Sequence, residues 1–428
     1  SEFLSADSDF ELVEAKQNTN QSQINISGKI DVKPARNTFF SIGGNFSARK
    51  ERPWSYWRSM FSSANNYQDT RRTYRIFGKL TQKFGSEESN SDESASTIKN
   101  AFFTIQGDYT SNKYTFDDAN HADNLFNYGY VGKFNTYKAP IYQNGSATDT
   151  LNGTGIVYTG KILSGWADTL YTFEASNVNP ELVNYTSAYY DIFSQYGRNS
   201  FMGSTMANFF NVDASNDGVI RTAADLQGQG LMNGDLPASV YSLYGNHGTM
   251  YNGAAKQEDT QASFKASGSA DINSHEFSFG FEFEQRQDYY WGIAPMGLWG
   301  LMRQQANKHI LERKLDDPQP VIDLLTGIYQ DTINYDRLFI SDEQSDFDKN
   351  LRAHLQNIGA VDNQGELITD LTFIDIDSYD PSTYSLDLFS ADELLNSGSS
   401  LVYYYGYDIF GNKPTTTPTL EEFFTKET

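Results

Sequence analysis

Hydrophobic and polar residues alternate in six stretches of the chain. In the first, Ile24, Ile26, Gly28, Ile30 and Val32 share one parity, and polar residues such as Asn25, Ser27, Lys29 and Asp31 take the other. The pattern returns in Phe40, Ile42, Gly44, Phe46 and Ala48, then in Tyr74, Ile76, Gly78 and Leu80, and again in Ala101, Phe103, Ile105, Gly107 and Tyr109. The clearest pair runs from Gln261 to Ile272 and from Glu276 to Arg286, where Phe277, Phe279, Phe281 and Phe283 oppose Ser278, Gly280, Glu282 and Glu284. Successive strand side chains point to opposite faces, so each stretch predicts a strand with one apolar and one polar side. Each arm of that pair is also close to the ~9 to 11 residues that a tilted strand needs to cross a bilayer.

The connections set the expected topology. Lys33–Asn37 and Asn273–His275 are short enough for tight turns, whereas Arg49–Arg72 and the Ser/Glu/Asn/Asp-rich stretch from Gly85 to Ser96 read as loops. If the short turns face one side of a membrane, Gln261 begins a descending strand. An even number of crossings must then separate Tyr109 from it. Only one good alternating run, Phe126, Tyr128, Tyr130, Gly132 and Phe134, lies between, with Ile156–Thr159 and Leu170–Phe173 as poorer candidates. The expectation is that roughly residues 111–257 form a large insertion outside the membrane. The fold class is therefore all-β, an antiparallel transmembrane β-barrel segment with long extracellular loops containing short helices. Residues 1–110 hold barrel strands with short turns and one aromatic loop, 111–257 the insertion, 258–287 a barrel hairpin, and 288–428 a second large extracellular region. Helices are expected at Gly297–Leu315, from the spacing of Leu298, Leu301, Met302, Gln305 and His309, and at Ala391–Asn396, where Ser390 and Glu393 form a capping box. Six crossing strands cannot close a barrel, which needs at least ~8, so the chain reads as part of a larger one.

Composition narrows the partners. Acidic residues number 55 against 32 basic, a net charge of -23, which argues against nucleic acid. Aromatics reach 15%, and 33 glycines accompany them, as suits strands with wet faces. No apolar run approaches the ~18 residues of a membrane helix, and the first ten residues do not read as a signal peptide. Cysteine is absent, which removes disulfides, thiolate metal sites and thiol nucleophiles.

Candidate chemistry is sparse. Gly155–Lys161 has the spacing of a phosphate-binding loop, but Ile162 stands where the magnesium-holding hydroxyl belongs. Asp213, Ser215 and Asp217 place oxygen ligands at alternate positions as a calcium loop does, although position twelve is Ala224. Asp375, Asp377 and Asp380 make a second cluster of that kind. Calcium is the one cofactor these residues suggest, and a solvated acidic turn is the plainer reading of both. The five histidines are scattered and no nucleophile elbow occurs, so no enzyme is expected. Two aromatic groups stand out as binders of a ligand or partner: Trp54, Tyr56 and Trp57 in one loop, and Tyr289, Tyr290 and Trp291 above a strand end. The latter also suit the aromatic girdle that flanks outer-membrane barrels.

Four longer segments carry a resemblance: residues 123–134 (DNLFNYGYVGKF), 294–303 (APMGLWGLMR), 377–395 (DSYDPSTYSLDLFSADELL) and 404–411 (YYGYDIFG). Together they resemble a SusC-like subgroup of the TonB-dependent outer-membrane receptors, over essentially the whole chain. The resemblance implies a bacterial outer-membrane location, with more than half of the chain extracellular. It also implies import of a bulky nutrient through a 22-stranded barrel, and contact with outer-membrane lipids and a surface lipoprotein or other envelope proteins. TonB itself would be a partner only if a TonB box lies beyond these residues, because neither that box nor a plug is present in them. The same ancestry would also suit a non-transporting barrel subunit, a scaffold of an outer-membrane assembly or secretion complex. A secreted β-rich hydrolase or adhesin is a third option.

Overall fold

Residues 20–52 form a long hairpin, β1 (Asn20–Ala35) and β2 (Thr38–Arg52), closed by a two-residue turn at Arg36 and Asn37. The computed structural model describes residues 12–84, 98–150, 155–196, 232–237, 248–362, 365–396, 398 and 400–414. Next come β3 (Tyr67–Phe84), β4 (Ile98–Asp118), β5 (Gly132–Thr148), β6 (Val157–Ala175), β7 (Ala254–Ile272), β8 (His275–Ile293), β9 (Gln319–Ile322), β10 (Tyr329–Asn334) and β11 (Val402–Tyr405). Seven of them make one sheet in the order β1-β2-β3-β4-β7-β8-β11, antiparallel throughout. β4 pairs directly with β7 from Phe116 down to Ile98, so the chain leaves the sheet after Asp118 and rejoins it at Ala254 beside its point of departure. The Asn273-Ser274 turn, with Asn273 in the left-handed region, joins β7 to β8. Among the described residues β1 is paired on one side only, and β11 covers only the last four residues of β8. Both edges of the sheet are therefore largely open.

The second sheet, β5-β6-β10-β9, belongs to a head at the end of the strands away from the tight turns. Among the described residues, its largest core cluster collects residues from several distant stretches. Phe126, Tyr128, Tyr130 and Phe134 meet Trp291, Leu298, Trp299 and Met302, and both sets meet Phe347, Leu351, Leu355, Phe389 and Leu394. Helices α1 (Tyr56–Phe61), α2 (Pro180–Tyr196), α3 (Gly297–Gln305), α4 (Asp346–Asn357) and α5 (Ala391–Asn396) lie at or above the strand ends. Strand accounts for 48% of the structure and helix for 19%, so the protein is mostly antiparallel β, and the described helices lie in this head.

Three elements differ from the sequence reading. The alternating run Phe126–Phe134 is not a strand along its length; Leu125–Asn127 is a 3-10 turn and β5 begins only at Gly132. Its aromatics are all buried, so their alternation reflects a core threaded by irregular backbone. Ile156–Thr159 and Leu170–Phe173 fall within one long strand, β6, apart from Ile156 just before it. The helix expected to reach Leu315 stops at Gln305, because Asn307 adopts a left-handed backbone (φ +66°) and a separate 3-10 turn follows at Lys308–Ile310. The short helix at Ala391 is present. Ser390 N donates to Glu393 Oε2 at 2.8 Å and Glu393 N to Ser390 Oγ at 3.4 Å, the reciprocal bonds of a capping box.

Candidate functional site

The register aligns the apolar positions of all six long strands on one face. One row across the sheet reads Val32, Phe40, Leu80, Ile105, Ala266 and Phe281, and the row above it reads Ile30, Ile42, Gly78, Gly107, Phe264 and Phe283. These side chains are not covered. Ile24, Ile26, Ile30, Val32, Ile42, Ile76, Phe264, Phe277, Phe281 and Phe283 are all exposed, and Phe279 is 72% exposed. Phe279 lies over Gly268, where a Cβ would come within 2.5 Å of the ring, so the glycine is what lets the aromatic lie flat across the neighbouring strand. An exposed apolar surface spanning six strands calls for an apolar environment.

The band is slanted. On β1 the exposed apolar run is centred on Gly28, whose row continues through Gly44, Ile76, Tyr109 and Ala262 to Gln285 on β8. On β8 the run from Phe277 to Phe283 is centred on Gly280, five residues nearer the tight turn. A five-residue drift at ~3.3 Å per residue is about 16 Å, set against about 24 Å for five interstrand spacings. The strands are thus inclined to the normal of the band by roughly 35°. Along β1 the band covers about 26 Å of strand, or about 20 Å of height at that tilt.

The opposite face is polar and internally bonded. Ser263 Oγ donates to Asp108 at 2.7 Å, Thr73 Oγ1 to Asn112 at 2.9 Å, and Lys265 meets Glu282 at 2.6 Å. Charge is divided laterally across it. Lys29, Lys33, Arg71, Arg75, Lys79 and Lys83 line β1 and β3 with Asp31 and Asp69 as their acids, whereas β8 presents Glu276, Glu282, Glu284 and Asp288 with Arg286 as their base. Near the turns, Phe39 and Phe77 floor a 530 Å³ recess edged by Lys29, Ser41, Lys79, Thr81 and Lys83. The Lys33 and Lys83 ammonium groups stand 5.1 and 5.4 Å from the Phe39 ring.

Where strands meet head, the aromatic candidates separate by parity. Tyr290 faces the polar side and stacks on Tyr405 at 5.7 Å, with Tyr403 edge-on at the same distance. In the same row stand Gln257 and Tyr114, and the Arg71 guanidinium, held by Asp69, lies 5.4 Å from the Tyr114 ring. Tyr403, Tyr405 and Tyr114 escaped sequence reasoning; the one available signal was the tyrosine run at 403–405. Tyr289 points the other way, against Tyr407 and beneath Lys413. Trp291 is not an exposed binding residue. It is 7% exposed and donates its indole N–H to the Ile409 carbonyl at 2.7 Å, because β11 and the segment after it fold across β8. Trp54 and Tyr56 remain exposed with ring centroids 6.5 Å apart, and Lys16 lies 4.8 Å from the Trp54 ring. Trp57 belongs to α1, but its side chain lies outside the described residues, as do Asp213, Ser215 and Asp217.

The second acidic cluster is not assembled as a cation cage. Asp377 is buried; its two carboxylate oxygens accept from Arg303 Nη1 at 2.9 and 3.1 Å, and one of them also accepts from the Asn233 amide at 3.0 Å, while Asp380 pairs with Lys133 at 2.9 Å. Asp375 precedes and caps a 3-10 turn. Among the described residues no three acidic or histidine side chains converge as a metal site. A second buried network surrounds Asn307, whose side chain bonds both backbone groups of Ile374 and the Arg352 guanidinium, while its own N–H donates to Asp348. Arg352 in turn reaches Asp348 at 2.7 Å and the Thr369 and Thr372 carbonyls. Apart from Arg303 Nε, these buried polar groups are hydrogen-bonded, and they fix the head's loops in one arrangement.

At the top of β4, Asp117, Asp118 and Asp123 crowd together. Burial, reinforced by the negative charge of Asp118 and Asp123, pushes the Asp117 carboxyl up to about 6. Asp118 is also raised by burial, against bonds from the Asn120 and His121 backbone. Tyr128 binds into the same group, donating its hydroxyl to the Ala122 carbonyl and accepting from Asp118 N, and burial raises its own ionisation. Comparison with family models, with curated proteins and with solved structures finds no match for this chain.

Proposed function

We propose that the long-stranded sheet is a sector of a bacterial outer-membrane β-barrel whose slanted apolar band faces lipid, and that the head stands outside the cell as the ligand-binding part of a SusC-like receptor importing a bulky nutrient. One observation carries the reading: the band's drift of five residues across six strands, a tilt of roughly 35° that falls at the edge of the ~35–45° range of membrane barrels. A soluble sheet with one wet face would bury its apolar side against a second layer. Here that side is open while the polar side is tied by its own bonds, an inside-out arrangement suited to lipid without and water within. The open edges of β1 and β8 are where further strands of the barrel would pair, since lipid does not tolerate unsatisfied edges. For import, the support is the resemblance together with a polar, charge-divided inner face and tyrosines at its mouth.

The test is fractionation followed by uptake. The protein should partition into outer membranes and require detergent for release, and a strain lacking it should fail to grow on one bulky nutrient that it otherwise uses. Release in aqueous buffer would overturn the barrel reading. Membrane retention without any lost nutrient, together with stable association with an assembly complex, would leave the barrel and replace import with the scaffold role.

A further inference from the structure

All the Lys, Arg, Asp and Glu side chains that share the apolar parity of the six long strands lie at one margin of the band. They are Lys50, Arg52, Arg72, Lys113 and Lys256, with Asp117 and Glu258 as the acids, and every one stands between the band and the head. On the turn side the same parity carries none of the four residue types. The nearest cations there, Lys33 and Arg36, belong to the polar face and to the turn. In a chain of net charge -23, a margin richer in cations than in acids needs a reason.

The acids do not balance this margin evenly. Lys50 and Arg52 stand beside Asp117 and Asp118. Further along, Arg72 and Lys113 lie directly opposite each other on β3 and β4, Lys113 faces Glu258 of β7 at 3.4 Å, and Lys413 reaches the same carboxylate at 2.8 Å. Lys256, two residues from Glu258 on the same face, lies 5.4 Å from the Trp291 ring and 5.1 Å from that of Tyr407. Asp408, the acid nearest Lys413 in its own segment, accepts from Asn412 N at 2.7 Å. Arg72 is exposed and makes no ion pair among the described residues. Like charges directly opposite on neighbouring strands repel, and an anion between Arg72 and Lys113 would remove that cost. On the same face a 240 Å³ recess, lined by Tyr109, Thr260, Gln285, Gln287 and Tyr289, opens beside Glu258 and Lys413.

We propose that Arg72, Lys113, Lys256 and Lys413 form a site for an anionic lipid headgroup, with its phosphate held by the cations and its acyl chains lying along the apolar band. The Arg72 guanidinium offers a fork of donors suited to phosphate oxygens, and the lysines add charge. Gln285 and Gln287 give the rest of the headgroup hydrogen-bonding partners in the recess. This site rests on the barrel reading, because only a face set in lipid brings these cations to headgroups. It selects the leaflet on the head side and, within it, the anionic lipid.

The test uses the full protein carrying Phe283→Cys with an attached fluorophore, reconstituted in phosphatidylcholine vesicles that contain a minor share of phosphatidylglycerol. Bromine is placed on the acyl chains of one lipid or the other. Brominated phosphatidylglycerol should quench the label at least about fivefold more than its share of the lipid predicts. Added salt should weaken that excess, and Arg72→Gln, Lys113→Gln and Lys256→Gln combined should abolish it while quenching by brominated phosphatidylcholine persists. Inorganic phosphate at matched ionic strength should leave it unchanged. An excess that survives the triple variant, or that inorganic phosphate removes, would overturn the site. Quenching by both lipids in proportion to their abundance would also overturn it and leave the barrel intact, whereas no quenching by either lipid would overturn the barrel reading and the site together.

Discussion

Asp117 shows at the scale of one residue how the junction of strands and head is held. Its carboxyl is raised from an ordinary value near 3.8 to about 6 by burial and by two neighbouring acids. The native state therefore holds that proton more tightly than the unfolded chain. The stability it contributes is fully present below pH 3.8 and is lost as pH rises through 6. Asp117→Asn should thus stabilise the fold above about pH 7, by at most about 3 kcal/mol and less as partial exposure screens the site, with no difference below about pH 4. Thermal melts at the two pH values check this, and a variant less stable in the alkaline melt would contradict it. The two faces of β8 give a second test at this scale. In a membrane, Phe281→Arg should cost about 2–4 kcal/mol, whereas Ser278→Arg on the polar face should stay within about 0.5 kcal/mol. Denaturant unfolding from lipid vesicles separates the two; equal costs would remove the distinction between faces.

Among the elements, the long strands were readable in the sequence because a sheet exposed differently on its two sides must alternate with period two. Gly28, Gly44, Gly78 and Gly107 kept that parity where no large side chain was present. The head was much less readable. Its core draws on residues far apart in sequence, and aromatics such as Tyr128 and Tyr130 alternate there without forming a strand. Helix α4 did carry a usable signal in Ser345 and Asp348: the Ser345 hydroxyl accepts from Asp348 N at 3.0 Å. Helix α2 offered Asn179 and Pro180 at its start, with Glu181 in the first turn. The acids at 375–380 looked like ligands because sequence cannot show a partner 74 residues away, and Arg303 is that partner for Asp377. Arg303→Ala leaves Asp377 buried without its cation and should destabilise the head by about 3–5 kcal/mol. Hydrogen exchange over α3 and residues 374–389 would report it; unchanged protection would mean that the Asn233 amide alone suffices.

For the whole molecule, one sheet carries an exposed apolar face, a bonded polar face and a many-looped head at one end. The parity that separates Tyr290 from Tyr289 and Trp291 gives the three side chains different roles. Tyr290 stacks on Tyr405, Tyr289 packs against Tyr407, and Trp291 anchors the segment after β11 through the Ile409 carbonyl. The polar face is more basic on β1 and β3 and more acidic on β8, so under the proposed barrel reading a body filling the lumen should carry the complementary division. The outward band bears the central claim, and the absence of cysteine makes it directly accessible to labelling. Single cysteines at residues 277 to 284, placed one at a time in the full protein and reconstituted in lipid, would be scored for quenching of an attached fluorophore by brominated lipid and for reaction with a charged maleimide. A lipid-facing band predicts strict alternation, with 277, 279, 281 and 283 quenched by lipid and 278, 280, 282 and 284 reactive from water. Uniform reactivity with the charged reagent and no quenching at any of the four phenylalanine positions would contradict it.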